Sequence, residues 1–182
     1  IKALSLGILL SEDADYVTAT IRFEGKKIAC EIRLKGDWVD HLRDKKKWSY
    51  KIKLKGDITI MGMKKFAIHH PKARGYLNEN LLHLAMKKEG LMGLRYNYLN
   101  VDLKVTNSSS VTSDQLGIYA IEESFDKRLI ENNRRREGVI LKFNEEMIWQ
   151  DRAQARTIDK NFSIARSYYD PKYQKIGPVE AY

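Results

Sequence analysis

The sequence predicts an α+β domain in which an antiparallel β-sheet packs against one main helix. Apolar and polar residues alternate through the first third of the chain, as they do in strands that bury one face. The period then changes to helical spacing over residues 75–89, before strand-like sequence returns. A chain of 182 residues, 43% of them hydrophobic, is long enough to fill the core of such a domain.

The first third of the chain predicts an antiparallel meander of three strands. Glu24 and Gly25 separate the first two strands and predict a tight hairpin. The single cysteine, Cys30, excludes a disulfide framework within the chain and is expected to be a buried strand residue. The three alternating apolar sets are Val17, Ala19, Ile21 and Phe23; Ile28, Cys30, Ile32 and Leu34; and Trp48, Tyr50, Ile52 and Leu54.

The helical stretch predicts one amphipathic helix with a buried apolar stripe. Leu77, Leu81, Leu84 and Ala85 form that stripe, and Gly90 stands where a C-terminal cap belongs. At about 100° per residue, Glu79 lies nearly opposite Leu77, so we expect it to face solvent.

The remaining elements follow in order to residue 143. Residues 96–105 and 116–124 predict a long exposed hairpin, because a Ser-, Thr- and Asn-rich loop separates two strand-like runs. A short polar helix over 126–133 and a strand over 138–143 complete this part of the chain. Residues 144–182 mix charge, aromatics and late prolines without a sustained period, and predict no defined element.

A repeated hexapeptide places positive charge on one face of the predicted sheet. The segments IRLKGD at 32–37 and IKLKGD at 52–57 end neighbouring strands. With their apolar side chains inward, the opposite face carries Glu31, Arg33, Lys35, Lys51, Lys53 and Lys55. This face and the net charge of +9 favour a polyanionic partner, although a solvated sheet face is an open alternative.

Two other site classes are disfavoured by the sequence. Arg134–Arg136 could contact nucleic acid, but charge runs are usually solvated surface, and the aromatic residues Trp48 and Tyr50 are predicted on the core side. His69 and His70 are adjacent in a predicted strand and would point to opposite faces, so no histidine metal site is expected.

The order of motifs resembles the spore-coat CotH kinase family, whose members are atypical and kinase-like. Arg33, Lys35, Gly36 and then Lys47, Ser49, Tyr50, Ile52 and Leu54 fit one family pattern. GMKKFAIHH at 62–70, YLNENLLHLAMKKEGL at 76–91, GIYAIEESFDKRL at 117–129 and GVILK at 138–142 resemble the segments that follow. Asn78 and Trp48 depart from the family pattern, and the later Asp- and Asn-rich segment that carries the catalytic and metal-binding aspartates is not recognisable before Tyr182.

The resemblance implies a domain organisation. Residues 1–143 are expected to form a kinase-like N-terminal lobe and the connection between lobes. Residues 144–182 are then the start of the C-terminal lobe, an insertion or a partly ordered tail. An extracytoplasmic setting, or a spore or cell surface, is implied by resemblance alone, and the oligomeric state stays open.

The resemblance also implies ATP and Mg²⁺ as cofactors, and a nucleotide and a protein substrate as partners. Lys47 is favoured for the phosphates, Gly36 would allow close backbone approach, and Glu123 with Asp126 would hold the nucleotide or fix the hinge. For Asp126, capping of the next helix is an equal alternative. The candidate nucleotide- and phosphate-binding residues are Arg33, Lys35, Gly36, Lys47, Lys51, Lys53, Glu123, Asp126 and Lys142. No catalytic or metal-binding residue is assigned.

Two classes of function are therefore open. In the first, the chain is a fragment of a CotH-like kinase whose full-length parent transfers phosphate from Mg·ATP to protein, while the fragment alone is inactive. In the second, it is a non-catalytic binding or structural module that uses its basic sheet face for an acidic partner.

Overall fold

The fold was analysed in a computed structural model. It describes residues 9, 11, 13–36, 41–42, 44–106, 110–136, 138, 141–143 and 179–181. Among these residues, no helix is long and apolar enough to cross a membrane. The described part thus includes most of residues 1–143, but only residues 179–181 of the region after residue 143.

One six-stranded antiparallel sheet dominates the fold. The strands are β1 (Val17–Phe23), β2 (Lys26–Leu34), β3 (Tyr50–Leu54), β4 (Lys65–His69), β5 (Tyr96–Thr106) and β6 (Val111–Glu123). Their spatial order is β1-β2-β3-β4-β6-β5. Since all six strands pair antiparallel with their neighbours, the predicted meander and the predicted long hairpin are both confirmed.

Two helices and a second small sheet complete the regular elements described. Helix α1 spans Asn78–Lys88 and helix α2 spans Lys127–Asn132, while 3₁₀ turns cover Asp13–Asp15 and Pro71–Arg74. A separate two-stranded sheet pairs β7 (Leu141–Phe143) with β8 (Val179–Ala181). The predicted domain boundary at residue 143 stays a prediction, because residues 144–178 lie outside the described part.

Alternation along the strands separates an apolar face from a polar face. Ile32 pairs with Ile52 and Ile52 with Phe66, so their side chains share one face of the sheet. The hairpin at Glu24 and Gly25 sets the β1–β2 register, and both residues take positive φ, at 48° and 77°, as a tight turn requires. The buried cluster on the apolar face is Ile28, Cys30, Ile52, Leu54, Ile60, Met63, Phe66, Ile68, Leu116, Tyr119 and Ile121.

Helix α1 turns its polar side, and not its leucines, toward the sheet. Leu77, Leu81 and Leu84 are 58%, 59% and 55% exposed, so the predicted buried stripe is wrong. His83 is buried instead, with its ring centroid 5.8 Å from that of Tyr96 on β5. Glu79 and His83 are four residues apart and therefore share the inward face. The main helix thus contacts the sheet through polar and aromatic groups.

Candidate functional site

A row of side chains crosses the polar face of the sheet along the strand register. Arg33 pairs with Lys51, Lys51 with Ala67, Ala67 with Glu122, and Glu122 with Tyr96. Because directly paired residues point to the same side of a sheet, these five side chains lie on one face. The predicted grouping of Arg33 with Lys51 opposite the core follows this register.

Lys35 lies two residues beyond Arg33 and places its ammonium group against Glu122. Its backbone N–H donates to the Ser49 carbonyl at 2.8 Å, which extends the β2–β3 ladder past the end of β2. The Lys35 Nζ donates to Glu122 Oε2 on β6 and forms an ion pair with it. Both side chains are largely buried, at 11% and 17% exposure, so this is an interior pair and not a surface contact.

The electrostatic balance at Glu122 favours the charged carboxylate. Burial raises its pKa, but the Lys35 charge and the hydrogen bond from Lys35, with smaller contributions from His69 and Arg74, together lower it by more, so the net pKa lies below the ordinary glutamate value. Glu122 is therefore ionised at neutral pH. This charge fixes the Lys35 ammonium group on the polar face.

His69 lies beside this pair at the end of β4 and is fully buried. Its Nε2 is 2.9 Å from the Tyr96 hydroxyl, and its Nδ1 is 3.6 Å from Glu122 Oε2. Burial, reinforced by the Lys35 charge, lowers the pKa of His69 to about 3. His69 is thus a neutral imidazole at physiological pH, which suits a ligand or hydrogen-bond role.

Glu79 enters the same cluster from helix α1. Its side chain is 22% exposed, and its Oε2 lies 3.5 Å from the Arg74 Nε. Burial and the neighbouring Glu122 charge raise the pKa of Glu79. The expectation that Glu79 faces solvent is therefore wrong, because α1 presents its Glu79 side to the sheet. We call Lys35, His69, Glu79, Tyr96 and Glu122 the Lys35 cluster.

The other end of the polar face is covered by the segment before β1. The Tyr16 ring lies 5.1 Å from Arg33 Cζ and 4.0 Å from Lys53 Nζ, both within cation–π range. Lys53 also forms an ion pair with Asp13 at 3.2 Å, and Arg33 donates a hydrogen bond to the Ser11 hydroxyl. Arg33 and Lys53 are thus held by local partners on the same face as Lys35.

Comparison with known families agrees with the motifs on this sheet. The family model described as CotH kinase protein matches residues 32–177, from β2 to just before β8. The chain belongs to this family. No curated protein gives a significant match. The matched range contains every member of the Lys35 cluster and extends beyond the motifs that suggested the resemblance.

Gly36 of this CotH-family chain allows a close approach by a side chain. Its φ is +119°, and a Cβ at this position would lie 2.4 Å from His41 Cδ2. His41 is buried and its Nδ1 lies 2.8 Å from the Ser49 hydroxyl. In this structure Gly36 therefore makes room for His41, and its predicted approach to phosphate stays a prediction.

Lys47 lies apart from the Lys35 cluster. Its ammonium group is 3.6 Å from the position that a Cβ on Gly117 would take, and Gly117 pairs with Val101 of the apolar face. Its backbone N–H and that of Lys46 donate to the Asp44 carboxylate, at 2.8 and 2.9 Å. An open hollow beside this loop is lined by Asp44, Lys45, Lys46, Lys47, Gln115 and Leu116.

The predicted acidic pair is also separated from Lys35. Glu123 is one residue after Glu122 and so points to the opposite side of β6, where it is buried and forms an ion pair with Arg95. The Asp126 carboxylate accepts the Arg128 N–H at 2.9 Å and caps α2, as its capping alternative expected. The structure does not bring either carboxylate to the polar face.

Lys142 is described by its backbone alone. It lies in β7 and pairs in register with Glu180 of β8. Its predicted role at a nucleotide stays a prediction.

Four residues of the cluster, His69, Glu79, Tyr96 and Glu122, were not among the candidates from the sequence, and Glu122 and His69 had a usable signal. Glu122 follows Tyr119 and Ile121 in an alternating strand, so parity alone places it opposite the core. His69 has the same parity relative to Phe66 and Ile68. Glu79 had no such signal, because the period of a helix does not state which of its faces meets the sheet.

Proposed function

We propose that this chain supplies the nucleotide-phosphate-binding side of a CotH-type kinase that transfers phosphate from Mg·ATP to protein. Membership of the family supports the reaction class. The observation that carries the site is the anchored Lys35, held by the largely buried Glu122 carboxylate on a sheet face that also bears Arg33, Lys51 and Lys53. In this proposal the six-stranded sheet is the N-terminal lobe of a kinase-like fold.

The physical demand of phosphoryl transfer explains why an anchored lysine matters. The protein mainly positions the phosphates and neutralises their charge, and kinases use a lysine held by a carboxylate for this task. A lysine that is already ordered loses less side-chain entropy when it binds phosphate. Lys35 meets this condition through Glu122, whereas Lys46 pairs with Asp114 at the surface, where both side chains are largely exposed.

ATP phosphates fit the charge of this face. Arg33 Nε is buried and makes no hydrogen bond within the described part of the chain, so it has a donor available for an anion. Arg33, Lys35, Lys51 and Lys53 provide positive charge on the same side of the sheet.

Mg²⁺ fits the described cluster less well. Mg²⁺ prefers six oxygen ligands and keeps several waters, whereas the nearest carboxylates here, Glu79 and Glu122, are grouped with the imidazole of His69. We therefore assign no Mg²⁺ ligand among the described residues. By family resemblance, the metal-binding and catalytic aspartates belong to a later segment, and the 182-residue chain alone is proposed to be inactive.

The test is transfer of labelled γ-phosphate from Mg·ATP to the protein itself and to a generic acceptor protein. The 182-residue chain and a longer native polypeptide that contains it are compared side by side. Transfer by the longer polypeptide alone is the expected result. Transfer by neither, with folding confirmed by circular dichroism, would contradict the kinase proposal and favour a module that binds an acidic partner.

A further inference from the structure

Helix α1 and the polar sheet face bring three metal-binding groups together. One potential ligand atom from each of His69, Glu79 and Glu122 lies within 4.8 Å of the other two. The three residues come from β4, α1 and β6, so the fold and not the local sequence creates the group. Neither the family match nor the sequence motifs assign a role to this group.

Two of the ligand atoms are buried and make no hydrogen bond within the described part of the chain. They are His69 Nδ1 and Glu79 Oε2, the second of which has a long ion pair with Arg74 Nε at 3.5 Å. His69 is 0% exposed, and its Nδ1 points toward Glu122 Oε2 at 3.6 Å, which is too long for a good hydrogen bond. Buried polar atoms normally find a partner, and leaving one unsatisfied destabilises the fold. A cation between these atoms would satisfy both.

We propose that His69, Glu79 and Glu122 bind one divalent transition-metal ion of the zinc class. One imidazole nitrogen with two carboxylates is a donor set that suits Zn²⁺, with a water molecule in the fourth position. The donor set disfavours Mg²⁺ and Ca²⁺, which prefer oxygen ligands. Ligand atoms about 2.1 Å from a tetrahedral zinc lie about 3.4 Å apart, so a modest closure of the Glu79 and Glu122 side chains forms the site.

The second nitrogen of His69 supports this assignment. Metal-binding histidines almost always use the other ring nitrogen in a hydrogen bond that fixes the orientation of the ring. Here Nε2 is hydrogen-bonded to the Tyr96 hydroxyl, and the two atoms are 2.9 Å apart. The ring is therefore held with Nδ1 directed toward the Glu122 carboxylate.

Lys35 competes with this ion for the Glu122 carboxylate. Its ammonium group occupies Glu122 Oε2 and adds a positive charge at the edge of the site. A metal ion must take Glu122 from Lys35 or share it, and it is repelled by the Lys35 charge. Removing that charge should therefore tighten metal binding, whereas a substitution that merely weakens the fold would loosen it.

The experiment is calorimetric titration of the purified chain with ZnCl₂ at neutral pH, without nucleotide. Wild type is expected to bind one Zn²⁺, and Glu79→Gln and His69→Gln to weaken binding at least about tenfold, the loss expected for one contact worth about 1.4 kcal/mol or more. His70→Gln is the matched control, because His70 is adjacent in sequence but outside the group. Thermal melts confirm that each variant is folded.

Lys35→Met is the decisive variant, because it should change the zinc affinity in the opposite direction to the other substitutions. It remains informative if His69→Gln does not fold. It is expected to bind Zn²⁺ more tightly than wild type. The proposal is overturned by any of four results: no zinc binding by wild type, equal weakening in His70→Gln and Glu79→Gln, equal affinity for Mg²⁺, or zinc binding by folded Lys35→Met that is no tighter than that of wild type. Because no nucleotide is present, these outcomes are independent of the proposed kinase function.

Discussion

Replacing Glu122 by glutamine should destabilise the domain strongly, because it leaves the Lys35 ammonium group buried without its charged partner. Glutamine keeps the size of the side chain, so the change removes charge with little change in packing. The Lys35 and Glu122 side chains are only 11% and 17% exposed. Breaking a buried pair from one side costs about 3–5 kcal/mol. Glu79 lies in the same cluster and partly compensates, so we expect about 3 kcal/mol, at the lower end of that range.

A matched surface pair provides the control. Lys46 and Asp114 are 2.8 Å apart, but their side chains are 68% and 45% exposed. Solvent screening weakens such exposed pairs, so Asp114→Asn should destabilise the domain much less than Glu122→Gln. The two substitutions remove the same chemical group in opposite environments.

Urea unfolding at pH 7, in the presence of a chelator, measures both losses. Adding Lys35→Met, alone and together with Glu122→Gln, completes a double-mutant cycle that isolates the coupling between the two side chains. We expect the double variant to be more stable than Glu122→Gln alone, because the unpaired charge has gone. A loss in Glu122→Gln no larger than that in Asp114→Asn would refute the buried pair.

Two further predictions concern single residues. Burial lowers the pKa of His69 to about 3, from 6.5 in the unfolded chain. The imidazole therefore binds a proton more tightly in the unfolded chain than in the folded one, and the free energy of unfolding should fall as pH drops below 6.5. In chelator-treated protein, the unfolding free energy of wild type should change with pH by up to about 1.4 kcal/mol per pH unit because of His69, and His69→Gln should remove this dependence. An unchanged pH dependence in His69→Gln would contradict the burial of neutral His69. Asp126→Ala should cost about 1 kcal/mol in urea unfolding through loss of the α2 cap. The ATP affinity of the Asp126→Ala variant should equal that of wild type. A loss of affinity would support Asp126 as a nucleotide ligand.

The sheet could be predicted because strand parity is a local property of the sequence. Ile28, Ile32 and Ile52 alternate with charged residues, and the same alternation correctly placed Arg33 and Lys51 opposite the core. The antiparallel pairing of β5 with β6 was equally local, since a polar loop joins two strand-like runs.

The remaining part of the site depends on contacts that the sequence does not encode locally. Periodicity identified helix α1, but its Glu79 side is turned inward next to Arg74 and the Lys35 cluster, while Leu81 stays exposed. Motif spacing favoured Lys47, but the Asp44 carboxylate binds the backbone of its loop, and the lysine lies near Gly117. Neither orientation follows from residue type or spacing, because both are set by tertiary contacts.

The position of the acidic partner shows a related limit. The family pattern directed attention to Glu123, which is buried with Arg95 on the other side of β6. Glu122, its neighbour, holds Lys35. A shift of one residue in a strand reverses the face, so strand parity was a better guide to this carboxylate than the motif.

We propose that the polar sheet face around Lys35, and not the loop around Lys47, binds nucleotide phosphate. Calorimetric titration with Mg·ATP tests it in folded Lys35→Ala and Lys47→Ala variants, with wild type as the reference. A charge-assisted contact is worth about 1.5–3 kcal/mol, so Lys35→Ala should weaken binding at least about tenfold while Lys47→Ala changes it by less than about threefold. An unchanged affinity in Lys35→Ala, or a larger loss in Lys47→Ala, would contradict a phosphate site at Lys35.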